Sequence, residues 1–508
     1  MKFQLDTKPG AGKPTPGQLF IVPCFESDLA ATATAGETFT ALNAGSVIVT
    51  AAALQQFSGK SGELFSHFNA NHGGNVLLVG LGDSAKLTLS VLEGALTKAL
   101  RKAKEAKATE LRIDAQPVLS TSLDAYEVGR LIGSSVVMLD HNQKSFKTKH
   151  SNPKGDHNVQ SLRVMAQPEL AETVKKGLLD GRSLGFGVTF ARDLVTLPAN
   201  HLTPFKLMEA AKDVVAQSKG LITGKYFWGK RLQQLGAHAL LAVARGSSEL
   251  PVLIELDYTP ETGPTKETLC LVGKSVTFDT GGVNLKPADG MRYMKRDMAG
   301  GAAVLGAIKA IAALKLPISV KVIMAATENM PDGKAYKPGD VINTMNGITV
   351  EIDNTDAEGR LTLADAIEYA KRAGATRIVD FATLTGAVKM IAGDVGAAAF
   401  GNHADFTAKV VEAGASVGEL MVNIPMWPEF RRQNDSDIAD LKNSGGAGAG
   451  STTAAWFIRE FAGEEIDWVH IDIAGVAWRE RSLGIDPKGA TGWGVRTSVA
   501  LAQSLAAK

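Results

Sequence analysis

Two carboxylates and an arginine are closely spaced in the stretch NTDAEGRL, residues 354 to 361, just before a helix-like pattern. Asp356 and Glu358 stand two positions apart, so in an extended segment their side chains would point the same way. Arg360 is permanently protonated, so it suits the binding of an anion at the start of the following helix rather than proton transfer. The pattern predicts a site where both acids reach one cluster and the arginine holds an anion.

Further charged residues precede this stretch, in segments rich in glycine. Lys274 and Asp279 lie in GKSVTFDTGG, Lys286 in NLKPADG and Asp297 in MKRDMAGG. Each alone fits an ordinary solvated loop charge. Asp279 and Asp297, together with Asp356 and Glu358, make four carboxylates among small residues that allow close backbone approach. Such acids repel one another unless cations hold them. The set therefore predicts a pair of divalent ions, roughly 3.5–4 Å apart, that share a carboxylate and activate a water.

The elements that must position these residues form an α/β pattern. From VLIELDY (252–258) to WVHIDIAG (468–475), short β-type runs alternate with helix-like ones. This alternation predicts a largely parallel sheet with helices on both faces. Ligands of such sheets bind beyond the carboxyl ends of the strands. The runs TLCLVG and ITVEI are predicted to end just before the charged segments.

The 508 residues, 45% of them hydrophobic, predict two domains. A small amino-terminal α/β domain is predicted over residues 1–167, a linking helix over 168–195, and a larger catalytic domain over 196–508. The polar stretch KTKHSNPKGDHN, residues 147 to 158, is predicted to be a surface loop. Only two cysteines are present, which are too few for a disulfide framework.

Charge and composition exclude several classes of function. The net charge of +1 provides no overall basic field for nucleic acid or an anionic membrane. The first residues lack the apolar core of a signal peptide, and no apolar run of membrane-spanning length is expected, so we expect a soluble cytoplasmic protein. No HExxH occurs, and histidine is absent from the charged segments, which excludes an ordinary zincin. GRSLG, residues 181 to 185, follows a helical run rather than the strand that a serine-hydrolase elbow needs.

Four segments, in order and spacing, resemble the signatures of the leucyl (cytosol) aminopeptidase family. They are VGKSVTFDTGG, the run from NLKP to MKRDMAGGAA, NTDAEGRL and DFATLTGA. The resemblance extends over the second predicted domain, whereas the first resembles the family only in layout. It implies a catalytic domain with a mixed, largely parallel sheet flanked by helices. It further implies two Mn²⁺ or Zn²⁺ ions per chain, peptide substrates with a free amino terminus, and a homohexamer whose sites face an interior cavity.

The resemblance also implies roles for individual residues. Asp279 and Glu358 would bridge the two ions, and the site residues implied for the ions are Lys274, Asp279, Asp297, Asp356 and Glu358. Lys286 would polarise the scissile carbonyl, and Arg360 would hold a bicarbonate that serves as general base. The pocket for the first substrate side chain, favouring leucine and other apolar residues, would be lined by Met294, Thr383 and Gly386.

Several alternatives stay open at this point. Lys274 could instead form a salt bridge with Asp279, and Arg360 could pair with Asp365 or Glu368 on its own helix. The alternative functions are a nucleic-acid-binding regulator, as a second role, and a two-metal phosphoesterase. A salt-dependent gel shift would reveal the former, and cleavage of nitrophenyl phosphates the latter.

Overall fold

The computed structural model describes residues 1–7, 17–27, 56–69, 74–143, 145–147 and 158–506. Most of the loop predicted at 147–158 therefore lies outside the described residues. The chain divides into two compact units, of which the first comprises Met1–Phe186 and Ser482–Pro487. The second comprises Gly187–Arg481 and Lys488–Lys508. The exact bounds expected at residues 167 and 195 stay predictions.

The first unit is built on a six-stranded sheet in the order β1-β6-β5-β2-β4-β3, in which only β3 runs antiparallel to its neighbour. Its strands are β1 Lys2–Asp6, β2 Gln18–Phe25, β3 Leu64–Asn69, β4 Gly74–Gly82, β5 Glu110–Asp114 and β6 Ser161–Met165. Its helices are α1 Leu89–Glu105, α2 Gln116–Leu119 and α3 Ala125–Asp140. Helix α1 begins after Thr88, whose hydroxyl accepts a hydrogen bond from the Val91 amide and so satisfies one of the free N–H groups of the first turn.

The helix predicted from Pro168 onwards is present. A short 3-10 helix at Pro168–Leu170 leads into α4, Ala171–Thr196. The GRSLG stretch lies inside this helix, so the serine there is not on a strand-to-helix turn.

The second unit contains a mixed eight-stranded sheet in the order β15-β14-β17-β13-β9-β10-β8-β7. Four of its seven neighbouring pairs are parallel, which confirms the predicted fold class. Its strands are β7 Ile222–Trp228, β8 Val252–Tyr258, β9 Thr268–Asp279, β10 Ser319–Asn329, β13 Arg377–Ala382, β14 Ala397–Gly401, β15 Met421–Asn423 and β17 Asp467–Asp472.

Smaller sheets and the helices complete this unit. A three-stranded sheet joins β11 Val341–Asn343, β12 Thr349–Glu351 and β16 Leu441–Lys442, and a hairpin-like pair joins β18 Trp478–Arg479 and β19 Gly489–Ala490. The helices are α5 Pro204–Gln217, α6 Lys230–Leu235, α7 His238–Ala244, α8 Ala288–Met291, α9 Ala299–Leu314, α10 Glu358–Arg372, α11 Val388–Ala392, α12 Ala404–Ser416, α13 Gly450–Ala462 and α14 Val495–Ala506.

Helix α9 packs closely against the sheet because its first turn is made of small residues. A Cβ at Gly300 would lie 1.9 Å from the Phe381 carbonyl oxygen, and one at Gly301 would lie 2.2 Å from Ser275 Oγ. In the described part of the chain, the segment Ala288–Leu314, which includes this helix, has the length and composition of a membrane span. Within it, 83% of the most apolar window is buried, as in a core helix.

Two details differ from the expected placement of the charged segments. Strand β9 continues to Asp279, so Lys274 lies within a strand rather than after it. The ITVEI run forms β12 in the small sheet, and Glu358 is the first residue of α10, so Asp356 and Glu358 are not on one extended segment. A short apolar run does not reveal which sheet it joins, because its pattern is the same in either.

Candidate metal centre

Strand β9 positions the first two charged residues of the site. Lys274 and Asp279 are 3% and 2% exposed. The Asp279 carboxylate accepts hydrogen bonds from the Gly281 amide and the Asn329 side chain, both at 2.9 Å. Gly281 has a φ of +87°, which glycine adopts without strain. This conformation belongs to a turn in which the Gly281 amide donates to Asp279. The carboxylate is thus fixed at the carboxyl end of β9.

The NTDAEGRL segment is held in place by side-chain amides. The Asn443 side chain accepts from the amides of Asp353 and Asn354 at 2.8 and 3.1 Å, and donates to the Asn354 carbonyl at 2.7 Å. Tyr336 donates its hydroxyl to the Thr355 carbonyl at 2.7 Å. These bonds order an irregular turn that presents Asp356 and then starts α10 at Glu358.

The carboxylates converge as the sequence predicted. Oxygen atoms of Asp279, Asp356 and Glu358 lie within 4.8 Å of one another. The ammonium group of Lys274 lies 2.8 Å from Glu358 Oε1 and 2.8 Å from Asp297 Oδ2, which brings the fourth acid to the same cluster. Lys274 also donates to the Thr383 carbonyl at 3.1 Å.

A missing side chain makes room for Lys274. A Cβ at Gly359 would lie 2.5 Å from Cε and 2.6 Å from Nζ of this lysine, closer than real Cβ contacts. The glycine of the DAEGR pattern therefore creates the space in which the lysine reaches the carboxylates. This contact explains why glycine, a poor helix former, occupies the second position of α10.

Lys286 forms the other half of the charge network. Its ammonium group lies 2.9 Å from Asp279 Oδ2 and also pairs with Asp356. Burial opposes its charged form, but the neighbouring carboxylates, Asp279 first, outweigh burial and raise the pKa of Lys286. The side chain is 21% exposed and lines a cavity, so its charge is available to a molecule bound there.

The acids lie in a buried setting that disfavours their charged forms. Burial, and then the charge of Asp279, raises the pKa of Glu358 to about 8, and burial raises the pKa of Asp297 to about 6. Three oxygen atoms, Asp297 Oδ2, Asp356 Oδ1 and Glu358 Oε1, face lysine ammonium groups at ion-pair distance but accept no hydrogen bond of good geometry. Two of these oxygen atoms face Lys274 and the third faces Lys286, so the cluster keeps acceptor capacity for cations.

This donor set fits divalent cations. Carboxylate oxygens are ligands that Mg²⁺, Mn²⁺ and Zn²⁺ accept, and several of those in this cluster are buried and accept no hydrogen bond of good geometry. The space beside Gly359 lets the amine nitrogen of Lys274 reach the same cluster. The residues that would hold the ions are Lys274, Asp279, Asp297, Asp356 and Glu358.

Arg360 lies beside this cluster in the first turn of α10. It is 9% exposed, and its Nε is buried with no hydrogen-bond partner among the described residues. The alternative pairing with Asp365 or Glu368 is wrong. Asp365 instead accepts from the amides of Leu240 and Met345, and Glu368 contacts Lys371 and Arg372. Burial lowers the pKa of Arg360 to about 10, so the guanidinium remains charged at neutral pH.

A cavity of about 460 Å³ adjoins the site. Met294, Thr383 and Gly386, the three predicted pocket residues, line it together with Lys274, Lys286 and Arg360. Thr383 also donates its hydroxyl to Asp297 at 2.8 Å, so the pocket wall and the carboxylate cluster are linked directly. The structure thus brings every predicted site residue to one place. All of them line the cavity except Glu358, which belongs to the carboxylate cluster and pairs with Lys274.

Some residues of the site emerge only from the structure. Asn329 joins Asp279 to the Thr355 carbonyl, and Asn443 shapes the turn before Asp356. Neutral amides give no charge signal in a sequence. The one available clue was that Asn329 ends strand β10, at the sheet edge where ligands bind.

Two family models match the chain. The catalytic domain model of the cytosol aminopeptidase family matches residues 189–499, and the N-terminal domain model of the same family matches residues 21–150. The chain belongs to the cytosol aminopeptidase family. It is accordingly a metal-dependent aminopeptidase, an exopeptidase that hydrolyses peptide substrates, as the resemblance implied.

Individual relatives agree with this assignment. A probable cytosol aminopeptidase from Geobacter sulfurreducens is 41% identical over 428 residues, covering 84% of each chain. A mutant of tomato leucine aminopeptidase has a similar structure, with a TM-score of 0.83 and 31% identity, covering 99% of this chain and 97% of the other. The bottromycin maturation enzyme BotP in complex with Mn has a TM-score of 0.82 and 29% identity, covering 97% and 100%.

Proposed function

We propose that this aminopeptidase releases leucine and other apolar residues from the amino ends of peptides, with two divalent ions, Mn²⁺ or Zn²⁺, at the carboxylate cluster. The observation that carries the proposal is the convergence of the Asp279, Asp356 and Glu358 carboxylates within 4.8 Å. In this group, Asp356 Oδ1 and Glu358 Oε1 accept no hydrogen bond of good geometry from the described residues. One ion would be held by Lys274, Asp279, Asp297 and Glu358, and the other by Asp279, Asp356 and Glu358. When bound, the ions supply Lewis acidity and a bridging water of lowered pKa.

Lys286 is the electrophile of the proposed reaction. Its ammonium group is charged, directed into the cavity and fixed by two carboxylates. It would donate a hydrogen bond to the carbonyl oxygen of the scissile peptide bond. That bond strengthens as the oxygen becomes an oxyanion, so it favours the transition state over the bound substrate.

Arg360 is the holder of the general base. Its unpartnered Nε and the free amides at the start of α10 form a site for a small anion, and bicarbonate is the anion that we propose. Bicarbonate held there would accept a proton from the attacking water. Arg360 itself stays protonated and moves no proton.

The apolar part of the preference rests on the cavity lining. Met294 and Gly386 offer an apolar surface beside the cluster. The hydroxyl of Thr383 donates its hydrogen bond to Asp297, so it is not available to the substrate side chain. A branched aliphatic side chain would bury its surface there at no electrostatic cost.

We further propose that the chain forms a homohexamer in the cytoplasm. Large apolar side chains remain on the surface of the second unit: Met390 is 90% exposed, Val395 62% and Trp427 60%. Exposed apolar surface of this kind suits burial against another copy of the chain.

The requirement for a free amino terminus on the substrate can be tested with a free and a blocked substrate. Leucyl anilide should be hydrolysed and acetyl-leucyl anilide should not, because only a free neutral amine can coordinate an ion and position the substrate by its end. Release of the aniline chromophore from both compounds, at equal enzyme concentration, gives the result. Equal rates for the two would refute the exopeptidase role of the site.

A further inference from the structure

Another buried aspartate, Asp472, lies outside the carboxylate cluster and is hydrogen-bonded to one wall of the cavity. Asp472 is the last residue of β17, is 0% exposed, and pairs in the sheet with Ala382, the last residue of β13. The chain that leaves β13 at Ala382 becomes the pocket-lining segment 383–387. Asp472 thus lies next to the point where this wall begins.

Four donors converge on the Asp472 carboxylate. Its Oδ1 accepts from the amides of Leu384 at 3.2 Å and Ala474 at 3.1 Å. Its Oδ2 accepts from the amide of Thr385 at 3.1 Å and from the hydroxyl of Thr385 at 2.6 Å. Two consecutive residues of the wall are therefore tied to one carboxylate, which fixes the backbone between Thr383 and Gly386.

The Thr385 hydroxyl extends this connection to helix α13. It lies 2.6 Å from Ser451 Oγ in the first turn of α13. A carboxylate can only accept, so the single Thr385 hydroxyl hydrogen goes to Asp472, and Ser451 is the donor to Thr385. Ser451 is 1% exposed and follows the glycine-rich segment whose Ser444 and Gly450 line the cavity. The chain of bonds runs from Ser451 through Thr385 to Asp472.

We infer that Asp472, acting through Thr385, is a positioning residue that sets the width of the substrate pocket and so the choice of the first side chain. The inference deepens the proposed function and rests on it. None of the three residues is among those that would hold a metal ion. The distance between Thr383 and Gly386 must stay fixed if the pocket is to select a side chain of one size. The backbone that joins them must therefore be held in position.

The test uses the Thr385→Val variant of the full chain, because valine keeps the shape and removes only the hydroxyl. Leucyl and alanyl anilides are compared. The value of kcat/KM for leucyl anilide should fall by about tenfold to a hundredfold, mainly through KM, as misplacement of a substrate-positioning segment does. The preference for leucyl over alanyl anilide should fall with it, while metal content stays unchanged. Thr385→Ser, which restores the hydroxyl, should recover the selectivity.

A matched control separates positioning from stability. Asp365 is also 0% exposed, and its carboxylate accepts hydrogen bonds from the amides of Leu240 and Met345 at 2.9 Å. Neither of these two residues lines the cavity. Asp365→Asn should lower the unfolding temperature without changing selectivity, whereas Asp472→Asn should change selectivity in the direction of Thr385→Val. Wild-type selectivity in Thr385→Val would overturn the inference and leave the proposed function intact. A wild-type chain inactive on both anilides would instead refute the proposed function.

Discussion

A single methyl group at Gly359 should disable the site. In Gly359→Ala the new Cβ would lie 2.5 Å from Lys274 Cε, whereas even tightly packed Cβ contacts are seldom below 3.4 Å. The lysine must therefore retreat by about 0.9 Å, because the helix backbone of α10 is buried and fixed. Lys274 lies 2.8 Å from both Asp297 and Glu358, and a shift of this size away from either one would lengthen that contact beyond hydrogen-bond distance.

The expected result is a larger effect on activity than on stability. Overpacking costs about 1–3 kcal/mol of unfolding free energy, and here the atoms that give way are the end of a flexible side chain. Displacement of a positioned group by about 1 Å costs on the order of 10² in rate. Hydrolysis of leucyl anilide and thermal unfolding, measured on one preparation, would show both.

The control for Gly359→Ala is Gly94→Ala. Gly94 lies inside helix α1, and no atom of the described residues is within 4 Å of a Cβ placed there. This substitution should stabilise the protein by about 0.5–1 kcal/mol, since alanine favours helix, and leave activity unchanged. If Gly359→Ala kept wild-type turnover, Lys274 would not need its observed position, and the reasoning from the glycine would be wrong.

The remaining predictions concern the reaction groups and the assembly. Lys286→Ala should lower kcat for leucyl anilide by about 10²–10³ while changing KM much less, since its hydrogen bond strengthens in the transition state; a loss confined to KM would contradict its role. Arg360→Ala should slow turnover without emptying the metal sites, and a metal-free Arg360→Ala protein would show that the arginine supports the ions instead. Sedimentation of the wild-type protein should give a particle of six 53.4-kDa chains, and a fully active monomer would refute the hexamer.

The charged residues of the site could be predicted from the sequence because each is a costly residue to bury. Lys274, Asp279 and Glu358 stand in segments of small or apolar residues, and such a charge must find a partner. The strands could also be predicted from their apolar runs, since VLIELDY forms β8 and WVHID forms most of β17.

What could not be predicted depends on contacts between distant parts of the chain. The ITVEI run is recognisable as a strand, but it joins a separate sheet in which Val350 of β12 pairs with Leu441 of β16, 91 positions away. Asn443 and Asp472 were not singled out, because an amide in a glycine-rich loop and one acid at a strand end carry no distinct pattern. Their roles follow only from the hydrogen bonds that the fold creates.

The central claim is that Asp279 and Glu358 bridge two ions in one carboxylate cluster. It is tested most directly by the number of divalent metal ions per chain in the wild-type, Asp297→Ala and Glu358→Ala proteins, measured by elemental analysis after identical purification. We predict two ions in the wild type, partial loss from one site in Asp297→Ala, and loss of both in Glu358→Ala, because a bridging carboxylate serves both ions. Two ions per chain in Glu358→Ala would contradict the account.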